Sequence, residues 1–215
     1  MEKPKPRRTP VQERSRARVD AILDAADAVF LEMSYAAATT NHVAARAGTS
    51  IGSLYRFFPD KEALLVALAD RYRARLMETL ERVRPPDPRG LTLAAMVASG
   101  IDGFNAYLAA NPGFRTLIEQ ANHPALREGN RAHDDAMGAA IYAMQERVAP
   151  SPRDKKARAE REAVVAVTVA TLGNLQMLSF SRDDAFRKRV VAEAKVMVVA
   201  YLAERLGIDP HATLD

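Results

Sequence analysis

Residues 39–65, TTNHVAARAGTSIGSLYRFFPDKEALL, constrain the fold more than any other stretch of this chain. A short apolar-periodic helix is readable at Val43, Ala44 and Ala47, followed by a break at Gly48-Thr49 and a second short helix with Leu54 and Phe58 turned inward. Neither helix can bury much surface alone, and so tight a turn favours Gly, which enters left-handed backbone at no steric cost. The pattern is that of a helix-turn-helix. Its second helix presents Ser50, Ile51, Gly52, Ser53, Tyr55 and Arg56 outward. Hydroxyls, a guanidinium and a glycine that lets the backbone come close suit phosphates and base edges in a major groove.

The flanking sequence supplies the third helix that such a pair needs. Thr9-Pro10-Val11-Gln12 has the order N-cap, first-turn proline, capping-box Gln, and opens a helix whose apolar stripe is Val19, Ile22, Ala26, Val29, Phe30 and Met33. Asp60 can cap the next helix, which carries Leu64, Leu68, Tyr72 and Leu76 to about residue 83. The stretch Arg84-Pro85-Pro86-Asp87-Pro88-Arg89-Gly90 cannot remain helical, because prolines remove donors and clash with the preceding turn. Beyond it, helices are expected at 91–110, 112–122, 124–149, 154–180 and 183–206. No strand alternation is visible, so the expected fold is all-α. Its expected organisation is a basic arm with the helix-turn-helix at 1–59, a connecting helix and Pro-rich linker at 60–90, and a larger helical domain at 91–215.

The order Thr39-Thr40, Val43-Ala44, Ala47-Gly48, Ser50, Leu54-Tyr55, Phe58-Pro59, Lys61-Glu62 and Leu64-Leu65 resembles the DNA-binding domain of the TetR family of bacterial transcription regulators. Many positions agree at fixed spacing over the first third of the chain; the remainder is similar in length and all-helical character. The resemblance implies an N-terminal DNA-binding domain and a C-terminal domain for a small-molecule effector and dimerisation. It further implies that Thr39, Thr40 and Tyr55 touch phosphates of double-stranded operator DNA, with Lys61 holding another. Two positions depart from the family pattern: Ser34 stands where Gly usually closes the first helix, and Thr49 where Val is usual. Ser is a poorer left-handed cap, and Thr keeps the shape of Val, so both are expected to be tolerated.

Charge placement fits this reading. The chain has 215 residues and a net charge of +4. Residues 1–18 alone hold Lys3, Lys5, Arg7, Arg8, Arg14, Arg16 and Arg18 against Glu2 and Glu13, a net +5. A basic arm beside a DNA-reading domain suits phosphate tracking or a minor groove; a solvated tail would have the same composition. Without cysteine there is no disulfide framework, thiolate metal site or cysteine nucleophile. The charged, Pro-rich start MEKPKPRRTP is no secretory signal, so a cytoplasmic protein is expected.

The most apolar segment, 163–180, is interrupted by Thr168, Thr171, Asn174, Gln176 and Ser179 and flanked by charge. That argues against a membrane span. Ala163, Ala166, Ala170 and Gly173 make a small-residue row, and Val190, Ala194, Met197, Val198, Tyr201 and Leu202 recur at similar spacing in the final helix. The resemblance implies that these two helices pair with their copies in a homodimer; closing a monomer core would produce the same pattern. Phe104, Asn105, Tyr107, Phe114, Ile118, Met137 and Ile141, with Met144, are candidates for an apolar effector pocket with a polar handle, though packed core reads identically. His133-Asp134-Asp135 and His123 do not form a convergent acid-base or metal site, because adjacent helical residues point about 100° apart. No phosphate loop or nucleophile elbow occurs. The expectation is a non-enzymatic, cofactor-free, metal-free regulator whose effector the sequence does not identify. A ligand-independent DNA-binding or architectural protein, with its C-terminal domain serving only dimerisation, is the alternative.

Overall fold

The computed structural model describes residues 10–85, 87–150, 154–179 and 182–214. Its regular elements are α1 (Pro10–Ala37), α2 (Thr40–Arg46), α3 (Ile51–Tyr55), α4 (Lys61–Val83), α5 (Leu93–Ala110), α6 (Phe114–Glu119), a 3₁₀ turn (Pro124–Leu126), α7 (Arg127–Val148), α8 (Lys155–Ser179) and α9 (Asp184–Leu206). Apart from an isolated bridge between Thr92 and Thr213, the described chain is all-α, as expected. The arm residues Lys3, Lys5, Arg7 and Arg8 and the Thr9 cap lie outside the described residues. Two compact units emerge, and they are not consecutive in sequence. One comprises the chain up to Tyr72 together with Pro112–Arg127; the other comprises Arg73–Asn111 and the chain from Glu128 onward.

The first unit is built on the stripe read from the sequence. Ile22, Ala26, Val29 and Phe30 of α1 are buried together with Val43 and Ala44 of α2, Leu54 of α3 and Leu64, Leu65 and Leu68 of α4. Full burial of each large side chain contributes roughly 1.5–3 kcal/mol. Leu23 and Ala25 are also buried, so the covered face of α1 is wider than the expected stripe. Met33 is a correction: it is 39% exposed. One residue later the helix is interrupted at Ser34, with φ 68° and ψ 155°. Gly48 takes φ +61° in the turn between α2 and α3, the left-handed conformation for which glycine is suited.

Pro112–Arg127 follows the Pro-rich linker in sequence but packs with this first unit. The Phe114 ring meets Tyr72 edge-on, 5.6 Å between centroids, and the Tyr72 hydroxyl donates to Asp27 at 2.6 Å. Gly113 backs onto the same pair: a Cβ there would collide with the Asp27 carboxylate and lie 2.5 Å from the Tyr72 oxygen. Leu117 and Leu126 anchor the segment in apolar surroundings.

In the second unit, Leu93, Val97 and Ile101 of α5 pack on Val198 and Leu202 of α9, with Ala194 also buried. Lys195 and Asp102 add an ion pair at 2.5 Å between the same helices. Met197 does not join Val198 in this core and is 43% exposed, because adjacent helical residues point to different faces. On α8, Val165 and Thr168 face inward, whereas Ala163, Ala166, Ala170 and Gly173 are exposed. By length and composition α5 and α8 could each cross a membrane, although α5 supplies much of this core.

Candidate nucleic-acid interface

Two side-chain caps define where α2 and α3 begin. Thr39 has extended backbone and its hydroxyl oxygen accepts from the His42 amide at 3.3 Å. Ser50 does the same for the Ser53 amide at 3.2 Å. Each cap satisfies a donor that the helix cannot, and each hydroxyl keeps its own proton to donate elsewhere. Behind them Val43 and Leu54 are fully buried, where α2 packs on α1 and α3 packs on α2.

The outward faces then come together. Thr40 Oγ1 lies 3.1 Å from the Tyr55 hydroxyl, joining α2 to α3 through two residues expected at phosphates. Tyr55 is 48% exposed. Ser50, Gly52 and Arg56 are exposed beside it, and Ile51 and Ser53 are half-buried. Gly52 has no heavy atom within 4 Å of a built Cβ, so its surface is open. The Ser53 hydroxyl points the other way, buried and with no hydrogen-bond partner. Arg46 pairs with Glu32 and ties α2 to α1; that pairing raises the Arg46 pKa. Asp60 caps α4 as read from the sequence, accepting from the Ala63 amide at 2.7 Å.

Lys61 is placed unlike an open phosphate contact. Its ammonium donates to the carbonyl oxygens of Tyr35 at 2.8 Å, Ala38 at 2.9 Å and Ala36 at 3.3 Å, and stands 4.5 Å from the centre of the Tyr35 ring. Tyr35 packs edge-on against both Phe30 and His123. Burial, followed by the charges of Glu62 and Asp60, pushes the Tyr35 hydroxyl up and keeps it protonated. Sequence reading missed Tyr35, because nothing local marks a partner that is 26 residues from Lys61.

The seven pocket candidates divide between the two units. Phe114 and Ile118 lie on α6 in the first unit, whereas Phe104, Asn105, Tyr107, Met137 and Ile141 lie on α5 and α7 in the second. Tyr107 is buried, and Phe104, Met137 and Ile141 are half-buried. Asn105 lines a small cleft with Ile101, Leu172, Gln176, Ser179 and Val191, about 240 Å³ including space open to solvent. Its amide nitrogen is spent on the Ile101 carbonyl at 2.7 Å, while the Gln176 amide oxygen is buried without a partner. On α7, Gln145 is fully buried and neither of its amide atoms has a hydrogen-bond partner. Burial pushes the His133 pKa down, and no cluster suited to a metal ion occurs among the described residues.

Comparison with known proteins agrees with this architecture. Residues 22–68 match the family model for bacterial regulatory proteins of the tetR family, and residues 92–202 match that for tetracyclin repressor-like C-terminal domains. No curated protein shows significant sequence similarity to the chain. Among solved structures, a TetR-family transcriptional regulator from Streptomyces coelicolor is 27% identical with a TM-score of 0.66, over 88% of this chain and 99% of that one. A TetR regulator from Haloarcula marismortui shares the fold at 18% identity and a TM-score of 0.69, over 93% of this chain and 100% of that one. The complex of SmeT with triclosan shares it at 24% identity and 0.64, over 86% and 90%. With a helix-turn-helix packed on α1 and family models covering both parts of the sequence, the chain belongs to the TetR family of bacterial transcriptional regulators.

Proposed function

We propose that this DNA-binding regulator is a ligand-responsive repressor that grips a palindromic operator as a homodimer and leaves it when a small molecule binds the second unit. The observation that carries the dimer is the uncovered apolar face of the last two helices. Val167, Met177 and Leu178 of α8 are 49%, 42% and 47% exposed, and Val196 and Met197 of α9 are 66% and 43% exposed. Together with Ala163, Ala166, Ala170 and Gly173 they form a surface that a second copy would cover. A two-fold axis there would offer two α3 helices to successive major grooves about 34 Å apart. Thr39, Thr40 and Tyr55 are assigned to phosphates, and Ser50, Ile51, Gly52 and Arg56 to the groove; Ser53, expected to face outward, is left out because its hydroxyl is buried.

The effector is assigned to the second unit around Phe104, Asn105, Tyr107, Met137 and Ile141, a unit in which the Gln145 amide and the Gln176 amide oxygen are buried without partners. SmeT, a fold relative, is solved with triclosan, which makes a small-molecule occupant the natural reading. Helix α4 starts in the first unit and continues into the second, a continuous element through which occupancy can bias the DNA-reading helices. Catalysis, a resident metal and a cofactor have no part in this reading, and a cytoplasmic location goes with it. The test is selection of duplexes from a random pool, sedimentation of the free protein, and titration of the selected complex with metabolites. A salt-sensitive palindrome, a dimer, and a compound that weakens binding at least tenfold are expected. A dimer that no compound moves would leave a ligand-independent DNA-binding protein instead.

A further inference from the structure

We propose that Lys61 acts as a positioning residue: its ammonium latches the end of α1 and so sets the turn from which Thr39 and Thr40 reach DNA, rather than neutralising a phosphate itself. An ammonium has three protons and no acceptor, and three backbone carbonyls stand at 2.8, 2.9 and 3.3 Å from Nζ. All belong to residues 35–38, the short turn beyond the interruption at Ser34, whose backbone carbonyls have no continuing helix to supply donors. The Tyr35 ring, wedged between Phe30 and His123, adds its face to the cation at 4.5 Å. To reach a phosphate, Lys61 must leave these oxygens and this ring.

The latch sits where it can act on the interface. The last latched residue, Ala38, is 2% exposed and directly precedes Thr39, whose hydroxyl caps α2; Thr40 then meets Tyr55 at 3.1 Å. The residues that set this path are consecutive from the interruption at Ser34 to the cap at Thr39, so loss of the latch frees the whole connection. This inference rests on the assignment of Thr39, Thr40 and Tyr55 to DNA, and its test separates the two.

The experiment compares the full chain with Lys61→Met, which keeps the stem and loses every donor, and Lys61→Gln, which keeps N–H donors and loses the charge. Amide exchange at residues 36–43 is followed in the free proteins, and affinity for the selected duplex is followed against salt. In Lys61→Met, exchange should quicken at least tenfold and affinity fall about tenfold at every salt concentration, since several hydrogen bonds are lost. Lys61→Gln should recover part of both losses, and the salt slope should match the wild type in both variants. A slope lower by about 2 for a dimer, at about 0.9 per phosphate, with exchange unchanged, would overturn the proposal in favour of a phosphate contact. Faster exchange with unaltered affinity would also overturn it, leaving a fold support without influence on DNA. If Lys61→Met fails to fold, Lys61→Gln carries the slope and exchange comparisons by itself. Should the wild type select no duplex, the DNA assignment fails, while exchange still decides whether the latch exists.

Discussion

In the first unit, Val43, Leu54, Leu64, Leu65 and Leu68 are all completely buried, and polar side chains close the edges: Arg46 on Glu32, Arg71 on Asp24, Tyr72 on Asp27. In the second, α5 and α9 share a core of similar quality, yet α8 turns Val167, Met177 and Leu178 away from it. The difference lies in what each unit needs besides itself. A DNA-reading unit has to hold its geometry before DNA arrives, so most of its large apolar side chains are consumed internally, Leu31 and Met33 apart. The second unit keeps an apolar face in reserve, the one that the proposed homodimer would cover.

The substitution with the largest expected effect attacks that reserve. No heavy atom lies within 4 Å of a Cβ built at Gly173, and Ala170 is exposed on the same face. A single folded chain therefore accommodates Gly173→Arg, and only a second copy would find its charge buried. Removing an ion's hydration without a partner costs several kcal/mol, enough to shift sedimentation from dimer to folded monomer and to weaken operator binding on the order of 100-fold. A dimer of normal stability in this variant would remove the contrast between the two units.

Gly113→Ala reverses the target. Its new methyl would strike Asp27 and crowd Tyr72, in a first unit with no slack at this point. Overpacking of this kind costs about 1–3 kcal/mol, read as a lower melting temperature. Unchanged melting would mean that Pro112–Arg127 is only loosely held on the first unit.

These two sites also mark the limits of what the sequence discloses. Gly48 was legible because its need for left-handed backbone follows from two flanking helices, and Leu54 because its spacing is local. Gly113 was not: an Asn-Pro-Gly break reads as any helix boundary, and its partners Asp27 and Tyr72 lie far away in sequence. Phe114 counted as an effector contact for the same reason, since an aromatic on a short helix does not announce which unit it joins. For Lys61 the family resemblance implied a phosphate contact, and the backbone carbonyls it meets carry no side-chain signal that a sequence could show. On α9, periodicity found Val198 and Met197 together but could not tell the core stripe from its exposed neighbour.

Gln145→Met sharpens the comparison inside the second unit. The Gln145 side chain is fully buried with neither amide atom hydrogen-bonded, an arrangement that costs about 1–3 kcal/mol. Methionine has nearly the same length and no polar group, so the effector-free protein should gain up to about 2 kcal/mol, seen as a higher unfolding midpoint in denaturant. Should the midpoint fall, the Gln145 amide has partners in solution.

The smallest expected effect concerns the one described residue besides glycine with positive φ. Ser34 takes φ 68° and ψ 155°, a region open to glycine and strained for a side chain with a Cβ. Sequence reading anticipated that Ser would be tolerated there, and the fold does tolerate it, with Ser34 O accepting from the Ala38 amide at 3.1 Å. Strain of this type costs about 1–3 kcal/mol, whereas glycine gives back roughly 0.5–1 kcal/mol through its freer unfolded chain. The difference favours Ser34→Gly by about 1 kcal/mol, or about 2–4 °C in melting temperature for a chain of this size. Ser34 is exposed and contributes nothing to the buried face of α1, so no packing is lost with its side chain. A decrease in melting temperature would show that the serine hydroxyl, or stiffness at this joint, contributes more than the strain costs. In that case the otherwise closed first unit keeps a strained joint beside Lys61, and operator affinity in Ser34→Gly should fall even though the fold survives.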